Sequence, residues 1–145
     1  MLSPNQIVEM MMEKDAFSSW MGINIEKIEL GSSVISCEVK EEMLNGFQIL
    51  HGGISYSLSD SALAFASNSY GNKCVSIETS ISHTRPAKLG DILIATCKEI
   101  HRGRSIGIYE VSIKNQDDKL ISIFKGTVNI SLEEWWFMKN HESIN

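Results

Sequence analysis

The period of the hydrophobic positions changes along the chain, and each change marks an element. Ile7, Met10 and Met11 recur at helical spacing, and Ser3-Pro4 ahead of them suits an N-cap followed by a first helical residue. This predicts a helix over residues 3–15. Residues 16–22 read as a short apolar connector that carries Trp20. The period then drops to two. Segments at about 23–30 and 33–40, joined around Gly31-Ser32, predict strands; in the second, Ile35, Cys37 and Val39 alternate with Ser36, Glu38 and Lys40, so one face is buried. Asn45-Gly46 signals a turn, and a short apolar passage leads to His51-Gly52-Gly53. From about 53 to 69 the helical period returns, with Ile54, Leu58, Ala62 and Phe65 forming one stripe. Ser and Ala fill the other faces, which suits close neighbours, and Gly71-Asn72 supplies a stop.

After this helix only strand follows. Val75, Ile77 and Ile81 alternate with Ser76, Glu78 and Ser80 up to Arg85-Pro86. Residues 91–101 come after the Gly90-Asp91 turn, 105–114 after Arg102-Gly103-Arg104, and 119–131 after Gln116-Asp117-Asp118. Long strands with short links predict an antiparallel meander. The tail from Leu132, with Trp135-Trp136-Phe137, predicts a terminal helix or a packed arm. Two strands, a long helix and four strands make an α+β chain, a curved antiparallel sheet of five to six strands around a long central helix.

Length and composition narrow the reading. The 145 residues fit one domain, with a core over about 15–131, an N-terminal helix 3–15 and a tail 132–145. With 43% hydrophobic and 21% charged residues the chain is globular. A net charge of -5 gives no support to a nucleic-acid partner, yet leaves room for an anionic small molecule held by a few local cations. Cys37, Cys74 and Cys97 lie in strand-like stretches, cannot all pair, and read as reduced, buried thiols. The N-terminus lacks the pattern of a signal peptide and no run approaches the ~20 apolar residues that span a bilayer, so a soluble cytoplasmic protein is expected, with no membrane partner.

Candidate chemistry lies in residues 45–60, N-G-F-Q-I-L-H-G-G-I-S-Y-S-L-S-D. Glycines entering a helix leave unpaired, unobstructed N–H groups at its positive end, a place for an anion or a developing oxyanion; ordinary turn punctuation would look the same. Asp60 is a mediocre helix former inside the helix, about 240° around the wheel from Ile54. It is either a solvated polar residue or a general base or nucleophile facing a partly dry cleft. Seven residues separate Gly53 from Asp60, which keeps them nearly on one face but about 10 Å apart along the axis. A base and an oxyanion donor must both approach one reacting centre to ~3 Å. Two antiparallel copies of the helix satisfy that where one does not, so a catalytic pair predicts a two-chain site.

This stretch resembles the hot-dog-fold acyl-CoA thioesterases of the phenylacetic-acid-degradation (PaaI-like) type. The resemblance rests on Asn45, His51-Gly52-Gly53 and Asp60 at their intervals. It continues through Ala62-Leu63-Ala64-Phe65-Ala66, Asn68-Ser69, Arg85-Pro86, Gly90-Asp91, Arg102-Gly103-Arg104 and Phe124-Lys125-Gly126, over roughly residues 15–130. It implies a hot-dog fold and hydrolysis of an acyl-CoA, with aryl-acetyl groups such as phenylacetyl favoured. It also implies no cofactor beyond the coenzyme A of the substrate, an obligate homodimer, and dimers paired into a homotetramer. Carried over, the Gly53 amide polarises the thioester carbonyl, Asp60 of the facing subunit activates water or attacks, Asn45 and His51 position water and thioester, and Ser76 contacts the water.

Further substrate contacts are expected from Gly52, Tyr56 and Leu63, with Leu50 and Phe65 as other candidates for an acyl pocket. Arg85, Lys88, Arg102 and Arg104, with Lys125 beside them, are the candidates for the phosphates. No GxSxG elbow backs Ser57 or Ser59, and His51, His83, His101 and His141 lack metal-ligand spacing, so no metal site is expected. His83, in line with Val75, Ile77 and Ile81, reads as a core or interface residue. Two rivals remain: a non-catalytic acyl-CoA binding or sensing module on the same fold, which has no need of a buried acid, and a hot-dog dehydratase, whose His/Asp arrangement is not found here.

Overall fold

The structure, a computed structural model, describes residues 1–142. Helix α1 (Pro4–Lys14) starts at a capping box in which Ser3 and Gln6 bond each other's backbone, and it sends Ile7 and Val8 into the core. The segment read as a connector is itself a helix, α2 (Ala16–Met21), because Asp15 caps it by accepting from the Ser18 N–H. Trp20 is half exposed and stacks on Phe17 at 5.7 Å. Strands β1 (Asn24–Glu29) and β2 (Ser32–Glu38) form the expected hairpin. Helix α3 (Gly52–Asn68) follows, and Ile54, Leu58, Ala62 and Phe65 are buried as its stripe predicts. It ends at Asn68; Gly71, at φ 106°, turns the chain into β3 (Asn72–His83).

The sheet is completed by β4 (Ile92–Arg102), β5 (Ile106–Lys114) and β6 (Leu120–Glu134). All pairings are antiparallel, in the order β1-β2-β4-β5-β6-β3, and α3 lies against this six-stranded curved sheet in a hot-dog fold. One expectation is corrected here. Only β4-β5-β6 is a meander; β3 leaves β4 and pairs with β6 at the far edge, while β4 joins β2. The helix approaches β6 closely at Gly126, where a Cβ would lie 2.5 Å from Leu63 Cδ2. A larger residue there would force the Leu63 side chain, which α3 sets against the sheet, to move.

As an edge strand broken by a bulge between Ser76 and Glu78, β3 leaves Val75 and Ile77 58% exposed and His83 exposed as well, so His83 is no core residue of this chain. The chain then forms α4 (Trp135–Glu142). Trp135 packs on its own domain, its Nε1–H donating to Asn68 Oδ1 at 2.9 Å, whereas Trp136 and Phe137 stay exposed. No helix among the described residues is long and apolar enough to cross a membrane.

Candidate active site

Asn45 opens a tight loop. Its Oδ1 accepts from the Phe47 N–H at 2.9 Å and the Ile49 N–H at 3.4 Å, and Gln48 closes the turn at φ 61°. The side-chain acceptor is therefore spent on the loop, and the NH2 group is what Asn45 can offer a ligand. The chain re-enters the core at Leu50, and the His51 N–H bonds the Met43 carbonyl at 2.9 Å, which fixes the start of α3. His51 is the N-cap: its Nδ1 accepts from the Gly53 N–H at 2.9 Å.

The Gly53 amide is thus held by His51 in this conformation. Gly52, one residue earlier, is the first helical residue, whose N–H has no partner within the helix. Gly52 lines a cleft of about 410 Å³ together with Asn45, Leu50, Ser55, His83 and Arg85. His51 and Gly53 flank it and are exposed.

Asp60 sits two turns further along α3, half-buried, in a separate cavity of about 230 Å³ with Leu63, Ala64, Ser67, Cys74, Val75 and Ser76. Desolvation by burial pushes its carboxyl above the usual carboxylate range, and the negative charge of Asp15 adds to the shift. Asp15 is brought there by α2, whose Ser18 hydroxyl donates to Asp15 at 2.6 Å and lies 2.9 Å from Ser61 Oγ on α3. Reading Asp15 as the end of a helix hid it as the cap of the next one.

The predicted residues thus divide into two groups. Asn45, Gly52 and Arg85 share one cavity; Asp60, Leu63 and Ser76 share the other. Arg85 and Pro86 also border a third cavity of about 380 Å³, with Lys88, Asp91, Asp117 and Lys119. Lys119 was not singled out from the sequence, where it is one of many surface cations; the 115–119 turn brings it to Arg85 and Lys88. Arg102 is engaged inside the protein. Its guanidinium donates to the Ser67 carbonyl at 3.1 Å and the Tyr109 hydroxyl at 3.0 Å and lies 4.1 Å from the centre of the Tyr70 ring. Arg104 is exposed on the turn before β5, and Lys125 is 3.9 Å from Glu78 on the surface. Tyr56 bonds Thr79 and sets its ring edge-on to Phe124, with centroids 5.4 Å apart. Phe65 is fully buried in the core.

Comparison with known proteins gives the chain relatives. The family model described as Thioesterase superfamily matches residues 47–122. The chain is 40% identical over 116 residues to the acyl-coenzyme A thioesterase PaaI of Escherichia coli, covering 80% of this chain and 83% of that protein. The solved E. coli PaaI structure superposes with a TM-score of 0.88 at 36% identity, over 90% of this chain and 95% of that one. A 1,4-dihydroxy-2-naphthoyl-CoA hydrolase of Listeria monocytogenes is 30% identical, over 76% of this chain and 91% of its own length. A hypothetical thioesterase of Streptococcus pneumoniae, solved with coenzyme A, has a TM-score of 0.78 and 28% identity, over 82% of this chain and 93% of that one. That protein has also been solved with an aspartate or a threonine replaced by alanine.

Proposed function

The chain belongs to the thioesterase superfamily and is an acyl-CoA thioesterase, and we propose that it hydrolyses its thioester at a site built from two subunits. The observation that carries this reading is the separation of the two halves of the chemistry into different cavities of one chain, the Asn45–Gly52 cleft and the Asp60–Ser76 cavity. Edge strand β3 supports it. Its outer side is unpaired, it exposes Val75 and Ile77, and its start forms one wall of the Asp60 cavity. An unpaired edge of 12 residues with exposed aliphatic side chains is a surface that folded proteins cover. A second copy paired along it brings one subunit's Asp60 towards the other's helix start.

In this mechanism the thioester carbonyl lies against the first turn of α3, where the N–H groups of Gly52 and Gly53 and the helix dipole stabilise the oxyanion. Gly53 joins in once His51 releases its N–H. The Asn45 NH2 group holds the carbonyl or the water. Asp60 of the other subunit takes a proton from water as the water adds to the carbonyl, or attacks the carbonyl itself; collapse of the adduct breaks the C–S bond and releases CoA thiolate, and on the second route water then cleaves the mixed anhydride to free the acid and Asp60. Ser76 orients the water, and Leu63 contributes to the acyl pocket. An aryl-acetyl group such as phenylacetyl is the proposed acyl. Arg85, Lys88 and Lys119 receive the phosphates.

The direct test is thiol release from a panel of aromatic and straight-chain acyl-CoAs; no release from any member would leave only a binding module. Two variants test the roles. Ser76→Ala lowers kcat about tenfold with little change in KM, as expected for a water-orienting hydrogen bond. Replacing Arg85 and Lys88 with Ala raises KM for phenylacetyl-CoA several-fold and flattens its salt dependence, since exposed cations meeting phosphates are screened by salt. An unchanged KM would remove them from the phosphate site.

A further inference from the structure

His83 and Ser55 stand beside the proposed oxyanion turn with no role in the mechanism above. His83 Nε2 is 3.0 Å from Ser55 Oγ, and the same oxygen lies 3.1 Å from the Gly52 carbonyl. A carbonyl only accepts and a serine hydroxyl carries one proton, so both bonds form together only when the Ser55 hydroxyl donates to Gly52 and Nε2–H donates to Ser55. In the neutral imidazole this network fixes the tautomer. The imidazole keeps its proton on Nε2, and Nδ1 is left as an acceptor. The ring packs over Gly52, where a Cβ would meet Cε1 at 3.1 Å and Nε2 at 3.3 Å but Nδ1 only at 3.8 Å. Nδ1 is thus the ring nitrogen farther from Gly52, on a residue that is exposed.

The cleft it borders already offers donors, the Asn45 NH2 group and Arg85, while the Asn45 acceptor is spent on its own loop. Through Arg85 and Pro86 the cleft adjoins the cavity holding Lys88 and Lys119. A coenzyme A with its thioester at Gly52 and its phosphates at those cations must lay the segment between them along His83–Pro86. That segment, the pantetheine arm, is uncharged and carries amide N–H donors. Resting on the thioesterase reading, we infer that His83 recognises the thiol half of the substrate, its Nδ1 accepting a hydrogen bond from an amide N–H of the pantetheine arm, with Ser55 holding the imidazole in the accepting tautomer.

The test compares two small thioesters of phenylacetic acid, one of N-acetylcysteamine and one of mercaptoethyl acetate, in which an ester oxygen replaces the amide N–H. Phenylacetyl-CoA serves as the reference substrate. The native protein should favour the amide thioester in kcat/KM by about fivefold to tenfold, the worth of one hydrogen bond. His83→Phe, which keeps a ring over Gly52, brings the ratio close to one. His83→Gln, which keeps an acceptor, restores part of it. A purely structural His83 would change both thioesters alike. A ratio of one in the native protein, or one that His83→Phe leaves intact, overturns the assignment while the thioesterase reading stands. Failure to cleave any of the three substrates overturns both.

Discussion

Asp60→Asn should stop turnover, lowering kcat by about 10²–10⁴-fold, the range that a positioned proton acceptor contributes. Burial first, and the Asp15 charge second, raise the pKa of this carboxyl above the ordinary carboxylate range. The active carboxylate therefore forms only as pH climbs past that raised value, and kcat/KM rises with pH along an acid limb. Asp15→Asn removes the like charge and moves that limb to lower pH. The same shift sets the sign for stability. A carboxyl whose folded pKa lies above its unfolded pKa binds its proton more tightly in the folded state. Its contribution is fully present below the unfolded pKa and is lost as pH rises through the folded one. At neutral pH the native protein thus bears the cost of a half-buried carboxylate, and Asp60→Asn, which cannot ionise, should melt at the same temperature or slightly higher while being inactive. Thiol release and a thermal melt on the same preparation check both halves. A variant that turns over at the native rate would remove Asp60 from the chemistry, and one that loses activity only because it melts lower would make Asp60 structural.

The local features of this site were legible because each is carried by a few neighbouring residues. The four-residue apolar stripe set the face of α3, and the glycines before it marked the helix start. An aspartate inside a helix of small residues stood out against propensity. What a single strand's alternation does not carry is its partner. The pairing of β3 with β6 joins residues far apart in sequence, from Asn72 with Glu134 to His83 with Ser122, and its edge position together with the bulge at Ser76 turned Val75 and Ile77 outward. Arg102 illustrates the same limit. A basic turn reads as surface, but Ser67 and Tyr70 at the end of α3 and Tyr109 from β5 converge on it. His83 was visible as a strand residue, but Ser55 was one of several serines in α3; that they touch depends on β3 running past the start of α3.

Two inactive variants should restore each other if the site is shared between subunits. One carries Asn45→Ala, which damages the helix-start half; the other carries Asp60→Asn, which damages the base half. In a mixed dimer, one site joins the damaged turn to the damaged base and is dead. The other joins the intact turn of the Asp60→Asn subunit to the intact Asp60 of the Asn45→Ala subunit. Random pairing of equal amounts makes about half of the dimers mixed, each with one working site of two, so activity recovers to about a quarter of the native level from two nearly inactive parents. The experiment needs co-expression or refolding of a mixture, because preformed dimers mixed at room temperature need not exchange. A site contained within one chain predicts no recovery at any ratio, since every Asp60 would still face its own damaged turn or be missing. The helical rise gives the reason to expect exchange across the interface: seven residues of α3 separate Gly53 from Asp60 by about 10 Å, too far for both to reach one carbonyl. The same geometry requires that a variant blocking pairing along β3, such as Ile77→Lys on its exposed face, be monomeric and inactive even with every catalytic residue in place.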